Sequence, residues 1–542
     1  MPTILNSRLA RLRAIVIDDM RSMRENIRGQ LGQLGIDQVD QAATPDDALK
    51  LILAKSYDVI VCDYNLNKQT NGQQLLEYLR SQGILPPTAM FFMVTAESSY
   101  GSVASAAEFQ PDAYLVKPLT GGRIADRIER LLDKQQALSP ITERLRKKDK
   151  IGAVNECDAV QKQHPKWIVD ILRLKSNTLL ELGQIEDARD VYMQTLAMRG
   201  DLIWAQLGLA RCEQLSGNPE DATKAVTRIL STNPQFIAAY DLLAHLNEAD
   251  GKDQATLDAL KKSYEVIPSA RRSRLVGDAA YRTGDLQQAR AAFYQAISHT
   301  QGSLTAQASD ALALAQIHVD MQEAEQALNV LNNAANAHQN EPHFSAGQAA
   351  IAAQAFAQLN DPRSAQAAFE SAKELNGELR PDQHTLTLAK AAFAAGLQDE
   401  GIRIMSKAIK ADHENVRLVA FARKVLSDTG NAALIQRVVD DAISEGALIV
   451  DQATQLMRDG QFDASLAKLE EAMNATPENT GILLAAAQLH LLWMSQKGLD
   501  RSYVTRVNGY LAKLDTLMPN NERVAKMYRF LRETLVKSSK EA

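Results

Sequence analysis

The chain has 542 residues, a formal net charge of −6 at pH 7, 45% hydrophobic residues and 5% aromatic residues. This length is too great for one hydrophobic core, so we expect two or more domains or a repeat array. The acidic balance argues against binding to nucleic acid or to anionic lipid. No apolar run is long enough to predict a membrane span, and the N-terminal residues show no signal-peptide pattern.

The three cysteines, Cys62, Cys157 and Cys212, lie far apart and form no Cys-x-x-Cys pair. This usage predicts no disulfide framework and fits a reducing environment, so we expect a cytoplasmic protein. Ala, Leu and Gln are frequent, which favours a largely helical protein with small residues at close helix contacts.

The first 135 residues alternate short apolar segments with segments of helical periodicity. The predicted strands cover residues 14–17, 38–42, 57–63, 89–95 and 113–117. The predicted helices cover residues 20–34, 73–80, 98–109 and 122–134, and another begins at Pro45. Five β–α units of this kind predict an α/β domain with a doubly wound, five-stranded parallel sheet.

Polar residues stand at the ends of four predicted strands: Asp18 and Asp19 at the first, Asp63 at the third, Thr95 at the fourth and Lys117 at the fifth. The carboxyl ends of parallel strands face one crevice, so we expect these side chains to form one site. Three neighbouring carboxylates repel one another and favour a hard divalent ion such as Mg²⁺. One of them can then accept a phosphoryl group as an acyl phosphate, while the lysine and the threonine contact the phosphoryl oxygens.

Residues 12–134 resemble a response-regulator receiver domain and are similar to the chemotaxis receiver. The residues that carry the resemblance stand in the family's order: the Asp18-Asp19 pair, Asp63, Thr95-Ala96, Tyr114 three residues before the lysine, and Lys117-Pro118. The resemblance implies a flavodoxin-like fold and phosphorylation at Asp63.

The resemblance also implies a Mg²⁺ site formed by Asp19, Asp63 and the carbonyl of Asn65, with Asp18 assisting through water. The loop after Asp63 departs from the family's pattern, because no proline follows the acceptor and Gly72 lies nine positions on instead of eight. We therefore predict a loop one residue longer than usual, with a changed conformation around Asn65 and no loss of a catalytic group.

Two further pairs of residues receive roles from the resemblance. Thr95 and Tyr114 would form the switch, in which the hydroxyl turns toward the phosphate and the ring rotates inward. Asn65 and Glu97 would tune dephosphorylation, and their residue types imply a short-lived phosphoryl group.

Residues 136–150 change character and are predicted to link the receiver, residues 10–135, to a second domain, residues 151–538. Ser139-Pro140 predicts a boundary, with a new helix beginning at Pro140. The stretch also carries a basic cluster, Arg144, Arg146, Lys147, Lys148 and Lys150. A solvated helix face or linker explains this cluster better than a nucleic-acid patch, which would be longer and interleaved with aromatic residues.

Beyond the linker the strand pattern stops and an internal repeat appears. Gly183, Gly217 and Gly251 lie 34 residues apart, and a small residue follows each of them by five positions. This pattern resembles the tetratricopeptide repeat, in which glycine ends one helix, small residues allow close crossings and stacked helix pairs form a solenoid. It implies an all-α protein-binding domain of nine or ten helix pairs, least regular around residues 430–450.

One tetratricopeptide subtype captures a C-terminal carboxylate with a basic residue and an asparagine one helical turn apart. Arg173 and Asn177 have this spacing, but the next repeat places Leu207 with Arg211 at the equivalent sites. The full clamp is absent, so we expect ordinary exposed helix residues at these positions.

Motifs for nucleotide-binding loops, zinc proteases, serine hydrolases and kinases are absent, so we expect no enzymatic activity from the second domain. The combined features predict a two-component response regulator. A histidine kinase or phosphotransfer protein would phosphorylate Asp63, and this would change how the receiver packs on the repeats, or how it forms a homodimer, and so control a protein target. One alternative is an inhibitor or phosphate sink of the cognate kinase, with the solenoid as the docking surface. A second alternative, nucleic-acid binding by the solenoid, is disfavoured by the acidic balance.

Overall fold

The computed structural model describes residues 9–66, 71–86, 88–96, 111–300, 306–338, 341–377, 379–413, 415–518 and 522–541. The chain divides into two compact units, Met1–Asp310 and Ala311–Ala542. The first unit contains a β-sheet followed by helices, and the described residues of the second unit are helices and their connections.

A parallel sheet lies in the first unit. Its strands are β1 (Arg13–Ile17), β2 (Gln38–Ala42), β3 (Val59–Asp63), β4 (Met90–Thr95) and β5 (Ala113–Val116), in the spatial order β2-β1-β3-β4-β5. All neighbouring strands are parallel. The predicted five-stranded α/β fold is therefore confirmed, and the strands begin within two residues of their predicted starts.

Within the described residues, four helices accompany these strands: α1 (Arg21–Gln33), α2 (Pro45–Ala54), α3 (Gly72–Ser81) and α4 (Gly121–Arg146). Local sequence explains where they begin. Thr44 caps α2 by accepting a hydrogen bond from the backbone N–H of Asp47. Asn71 and Gln74 form a reciprocal capping box at the start of α3, which fixes that helix where it leaves the loop after β3. The helix predicted over residues 98–109 lies outside the described residues.

Both faces of the sheet are buried, because side chains alternate along each strand and helices cover both sides. On one face Ile60 and Cys62 of β3 pack in a cluster with residues of α2 and α3. On the other face Val59 and Val61 pack in a cluster with residues of α1 and the start of α4. This two-sided burial explains why the strands are continuous apolar runs in the sequence.

The helix α4 differs from the prediction, because it continues through Pro140 and ends only at Arg146. The prediction that Pro140 begins a new helix is wrong. A proline inside a helix leaves the carbonyl four residues earlier without its N–H donor. Here that carbonyl belongs to Gln136, and the hydroxyl of Ser139 donates to it at 3.0 Å. Ile141, fully buried in a cluster with the next helices, adds packing that favours the continuous helix.

The repeat region consists of consecutive α-helices. In the order of the chain they are α5 (Lys150–Gln163), α6 (Ile168–Leu182), α7 (Ile185–Met198), α8 (Ile203–Leu215), α9 (Pro219–Thr232), α10 (Ile237–Ala249), α11 (Asp253–Val266), α12 (Ala270–Thr283), α13 (Leu286–Thr300), α14 (Ala308–Asp320), α15 (Ala324–His338), α16 (Pro342–Gln358), α17 (Pro362–Asn376), α18 (Gln383–Ala394), α19 (Gln398–Ala411), α20 (Val416–Asp428), α21 (Asp441–Arg458), α22 (Phe462–Ala475), α23 (Thr480–Lys497), α24 (Arg501–Leu517) and α25 (Glu522–Glu541). The predicted all-helical second part is confirmed.

The periodic glycines lie at the turns between paired helices. Gly183, Gly217 and Gly251 have φ values of 65°, 85° and 69°, in the left-handed region that glycine adopts without a steric penalty. The least regular stretch also lies where the sequence predicted it, since a 3₁₀ turn at Ala432–Leu434 and a π-helical turn at Gln436–Asp440 precede α21. Among the described residues, no helix combines the length and apolar character that crossing a bilayer requires.

Candidate functional site

The register of the sheet brings the predicted site residues to one edge. Asp63 is the last residue of β3 and lies opposite Val94, so that Thr95 follows one position further along β4. Asp18 directly follows Ile17, which lies opposite Cys62 in the register of β1 and β3. The acids and the threonine therefore meet because parallel neighbours end at the same level.

Lys117 joins the two buried acids of the site. Its Nζ lies 3.0 Å from Oδ2 of Asp63, to which it donates a hydrogen bond, and 3.5 Å from Oδ2 of Asp18. The backbone N–H of Lys117 donates to the carbonyl of Thr95 at 2.8 Å, which fixes the start of this side chain to the end of β4. Asp18, Asp63 and Thr95 are only 1%, 7% and 3% exposed, so these interactions are shielded from bulk water.

Asp18, Asp19 and Asp63 can each offer one carboxylate oxygen to a common cation, since these oxygens lie within 4.8 Å of one another. One oxygen of Asp18, Oδ1, accepts a hydrogen bond from the backbone N–H of Met20 at 2.8 Å. The other, Oδ2, is buried; it lies 3.5 Å from Nζ of Lys117 and accepts no closer hydrogen bond from any described residue. A buried carboxylate oxygen of this kind is costly unless a cation or donor satisfies it. An all-oxygen, acidic ligand set fits Mg²⁺.

Opposing electrostatic effects act on the pKa values of Asp63 and Lys117. Burial raises the pKa of Asp63, against the hydrogen bond and the positive charge of Lys117, which lower it. Burial by itself would lower the pKa of Lys117, but the hydrogen bond to Asp63 and the charges of Asp63 and Asp18 outweigh it and raise that pKa. The attraction to Lys117 thus offsets part of the cost of burying a charged Asp63.

Arg24 is a supporting residue that the sequence did not single out. Its Nη1 donates hydrogen bonds to the carbonyls of Asp18 at 2.6 Å and Asp19 at 3.0 Å. These bonds hold the backbone on which the two acids stand. The only sequence signal is an arginine one turn into the helix that follows the acids, which is too common a pattern to identify such a residue.

Gly72 packs closely against the backbone of Asp63. A Cβ atom at this position would lie 2.2 Å from the carbonyl oxygen of Asp63, and 3.0 Å from both Cys62 Sγ and Met93 Sδ. The backbone N–H of Gly72 donates to the carbonyl of Tyr64 at 2.9 Å. The glycine that stands one position later than usual is therefore packed against the end of β3, as the first residue of α3.

The remaining predicted site residues have different surroundings. The hydroxyl of Tyr114 is buried without a hydrogen-bond partner among the described residues, and burial, followed by the charge of Tyr64, raises its pKa. Asn65 is exposed in the loop after Asp63. Glu97 lies outside the described residues. The roles assigned to these residues stay predictions.

Comparisons with known proteins match the part of the chain that forms the sheet and the repeat region to two different families. A family model described as the response regulator receiver domain matches residues 14–129, and a tetratricopeptide repeat model matches residues 179–246. The chain joins a response regulator receiver domain to tetratricopeptide repeats. The receiver domain is similar to the chemotaxis protein CheY of Pseudomonas aeruginosa, with 28% identity over 123 residues, which are 23% of this chain and 98% of that protein. It is also similar to the chemotaxis protein CheY-3 of Vibrio cholerae, with 25% identity over 134 residues, which are 25% of this chain and 99% of that protein.

Solved helical-repeat structures also match the chain. A tetratricopeptide repeat protein from Parabacteroides merdae aligns with 48% of this chain and 98% of its own, at 14% identity and a TM-score of 0.29. The yeast protein Tom70 aligns with 75% of this chain and 97% of its own, at 15% identity and a TM-score of 0.23.

The repeats use the residues that resembled a carboxylate clamp for contacts of their own. The guanidinium of Arg173 lies 5.3 Å from the centre of the Trp204 ring. Oδ1 of Asn177 accepts a hydrogen bond from the hydroxyl of Tyr192 at 3.0 Å. Both side chains therefore have partners within the repeats.

Proposed function

We propose that this two-component response regulator is phosphorylated at Asp63, and that phosphorylation controls the binding of a protein target by the tetratricopeptide repeats. The observation that carries this proposal is the position of Lys117, which bridges Asp63 and Asp18 at the edge of the sheet. Such an arrangement gives a nucleophilic carboxylate, a fixed cation for phosphoryl oxygens and acids for a metal ion in one place.

The proposed donor is the phosphohistidine of a histidine kinase or phosphotransfer protein. A carboxylate oxygen of Asp63 attacks the phosphorus, a P–O bond forms, the P–N bond breaks and the released imidazole takes a proton from solvent. Water later hydrolyses the acyl phosphate and returns the carboxylate. The reaction needs no further co-reactant, since the donor supplies both the phosphoryl group and the leaving group.

The residues at the sheet edge have different proposed roles in this phosphoryl transfer. The side chains of Asp18, Asp19 and Asp63, with the carbonyl of Asn65, would hold Mg²⁺, which when bound neutralises charge on the phosphoryl group. Lys117 supplies a second, fixed positive charge, and its 3.0 Å contact with Asp63 places that charge at the reacting carboxylate.

Thr95 and Tyr114 are the proposed switch that carries the modification outward. Thr95 is buried beside the acceptor, and Tyr114 stands on the neighbouring strand with its hydroxyl buried. The helix after β5, α4, runs from the receiver domain directly into the repeat region. A rearrangement at the sheet edge therefore has a continuous helical path to the repeats, or to a second copy of the receiver domain.

Labelling with acetyl phosphate tests the acceptor. We expect one phosphoryl group per chain in the presence of Mg²⁺, none after chelation, and none in Asp63→Asn. Asp58→Asn is the matched control, because Asp58 lies just before the same strand and accepts a hydrogen bond from the backbone of Arg13, away from the site. Labelling that persists in Asp63→Asn would contradict the assignment of the acceptor.

The lifetime of the phosphoryl group tests the roles of Asn65 and Glu97. We propose that their polar side chains help to place the attacking water, so that the wild-type chain loses its label quickly. Replacing either residue with alanine should lengthen the half-life several-fold. A wild-type half-life of many hours would refute this part of the proposal.

The target of the repeats is tested by capture from cells. The full chain, with Mg²⁺ and beryllofluoride or with chelator, should retain a protein other than its kinase in one of the two states only. Recovery of the histidine kinase alone would favour the alternative in which the chain inhibits the kinase or drains its phosphoryl groups. Equal capture in both states would refute phosphorylation control.

A further inference from the structure

The receiver domain contacts the repeats through α3, the helix that follows the acceptor strand. Nη1 of Arg272, in the first turn of α12, lies 3.3 Å and 3.5 Å from the two carboxylate oxygens of Glu77. The two side chains are 3% and 7% exposed. Nη1 of the more exposed Arg271 lies 3.7 Å from the same carboxylate. One turn earlier on the same face of α3, Gln74 donates a hydrogen bond to the carbonyl of Pro268 at 3.2 Å. The centre of this contact is an ion pair removed from water, with a neutral hydrogen bond at its side.

The repeats hold Arg272 in a fixed position for this contact. Its Nε donates to Oγ of Ser263 at 3.2 Å, and that hydroxyl in turn donates to Oδ1 of Asp241 at 3.1 Å. The backbone N–H of Arg272 donates to Oγ of Ser269, which caps α12. The guanidinium is therefore oriented by the repeats themselves. The segment from Pro268 to Arg272, which we call the corner, is thus a preformed binding site for a carboxylate.

A buried ion pair of this kind is sensitive to displacement. The distances of 3.3 Å and 3.5 Å between guanidinium and carboxylate are long for a charged hydrogen bond. A small further separation, without water to solvate the charges, leaves two desolvated ions that no longer compensate each other. We therefore expect two states of this contact, one with the ion pair closed and one with both charges hydrated. An intermediate separation has a higher free energy than either.

The other end of α3 is fixed to the acceptor. Gly72 packs against the carbonyl of Asp63 and bonds to the carbonyl of Tyr64, and the capping box secures the first turn of the helix. Glu77 lies five residues further along the helix, about 7.5 Å along its axis. A shift of the backbone at Asp63 is therefore passed to α3 through the packed contact at Gly72, and it moves the Glu77 carboxylate because the helix is continuous from Gly72 to Glu77.

We propose that α3 and the corner from Pro268 to Arg272 form a latch that is closed in the unphosphorylated receiver domain and opens when Asp63 is phosphorylated. This inference rests on the proposed function, since it requires Asp63 to be the acceptor. By thermodynamic reciprocity, a latch that phosphorylation opens must also oppose phosphorylation while it is closed.

Beryllofluoride binding by the full chain with Mg²⁺, measured by calorimetry, tests the latch. We expect Glu77→Gln to bind beryllofluoride about tenfold more tightly than the wild type, within the usual range of coupling between sites. The double variant Glu77→Gln with Arg272→Gln removes both buried charges, so it leaves no unpaired buried ion and should show the same gain. The variant with the two charges exchanged, Glu77→Arg with Arg272→Glu, should bind beryllofluoride more weakly than either of these variants, with an affinity closer to that of the wild type.

Arg80→Gln is the matched control, because Arg80 lies on the same helix but pairs with Asp112 inside the receiver domain, at 3.2 Å. It should bind beryllofluoride as the wild type does. In wild type, beryllofluoride should also reduce the hydrogen-exchange protection of residues 72–81 and 268–275 together.

The outcomes separate the latch from the function on which it rests. A wild type that binds no beryllofluoride would overturn both. Wild-type binding with affinities within twofold in all the Glu77 and Arg272 variants, or unchanged protection of both segments, would overturn the latch alone.

Discussion

Gly72 offers the most direct test of how the acceptor is supported. Replacing it with alanine places a methyl group 2.2 Å from the carbonyl oxygen of Asp63 and 3.0 Å from two buried sulfur atoms, those of Cys62 and Met93. The nearest atom belongs to the backbone, so a change of side-chain rotamer cannot remove the clash. Overpacking of a tight site costs about 1–3 kcal/mol. The helix preference of alanine over glycine offsets at most about 1 kcal/mol. Because the clash is with backbone, the cost lies in the upper part of that range, about 2–3 kcal/mol, and after the offset we expect a net destabilisation of the receiver domain of roughly 1–2 kcal/mol.

Local hydrogen exchange of the sheet is the appropriate assay, because a chain with several domains does not unfold in one step. Gly72→Ala should lower the protection of β3 and β4 by roughly tenfold and slow labelling by acetyl phosphate. Gly32→Ala is the matched control, since Gly32 lies in α1, where an added methyl group would meet no neighbouring atom within 4 Å. It should leave protection equal or higher. If the two variants behave alike, the close approach of Gly72 does not support the acceptor.

Three further predictions concern the repeats. Cys157 and Cys212 are 1% and 0% exposed and burial raises their pKa values to about 11, so their alkylation in the native chain should be very slow at pH 8, whereas the thiols exposed by denaturant should react rapidly at the same pH. Lys390 and Asp320 form a buried ion pair, so Lys390→Met should destabilise the second unit by about 3–5 kcal/mol, and adding Asp320→Asn should recover much of that loss when unfolding is followed by hydrogen exchange. Gly208→Ala should cost the first helix pairs about 1–3 kcal/mol in the same measurement, because a methyl group there would lie 2.3 Å from an aromatic ring.

The sheet and the position of its polar residues could be predicted because both follow from local patterns. Parallel strands read as continuous apolar runs, and their ends meet at one edge whatever the details of the connections. That rule alone is enough to predict that Asp18, Asp63 and Lys117 lie together, although they are up to 99 positions apart in the sequence; in the structure Nζ of Lys117 lies within 3.5 Å of both carboxylates. The repeat period likewise predicts the positions of the turns, because the residue that ends a helix often has a positive φ, which glycine adopts without a steric penalty.

The continuation of α4 could not be read from composition. Proline usually marks a helix boundary, and the sequence around Pro140 gives that signal clearly. Two interactions favour a continuous helix instead. The Ser139 hydroxyl donates a hydrogen bond to the carbonyl that Pro140 leaves without a donor, and Ile141 is buried against the next helices. The second of these depends on tertiary packing, which a local pattern does not contain.

The pairing of Glu77 with Arg272 could not be predicted from the sequence at all. The two residues are separated by 195 positions, and each would be interpreted by itself as an ordinary charged residue on a helix. Only the folded first unit shows that both are buried. Charged residues are rarely buried unless they are paired, so burial is the property that distinguishes this pair from the many exposed ion pairs of the chain.

The receiver domain is thus attached to the repeats along α4 and at α3, and the two attachments differ in kind. Along α4 the connection is a continuous helix, reinforced by the ion pair between Lys134 and Asp170 and by the apolar cluster around Ile141. At α3 it depends on polar contacts, centred on the buried Glu77 carboxylate and the hydrogen bond beside it. If both attachments held, a change at Asp63 would strain the helices without moving them. Because the attachment at α3 is polar and is the one that contacts the backbone of Asp63, its release would leave α4 as the pivot, and phosphorylation would reorient the receiver domain without unfolding any helix.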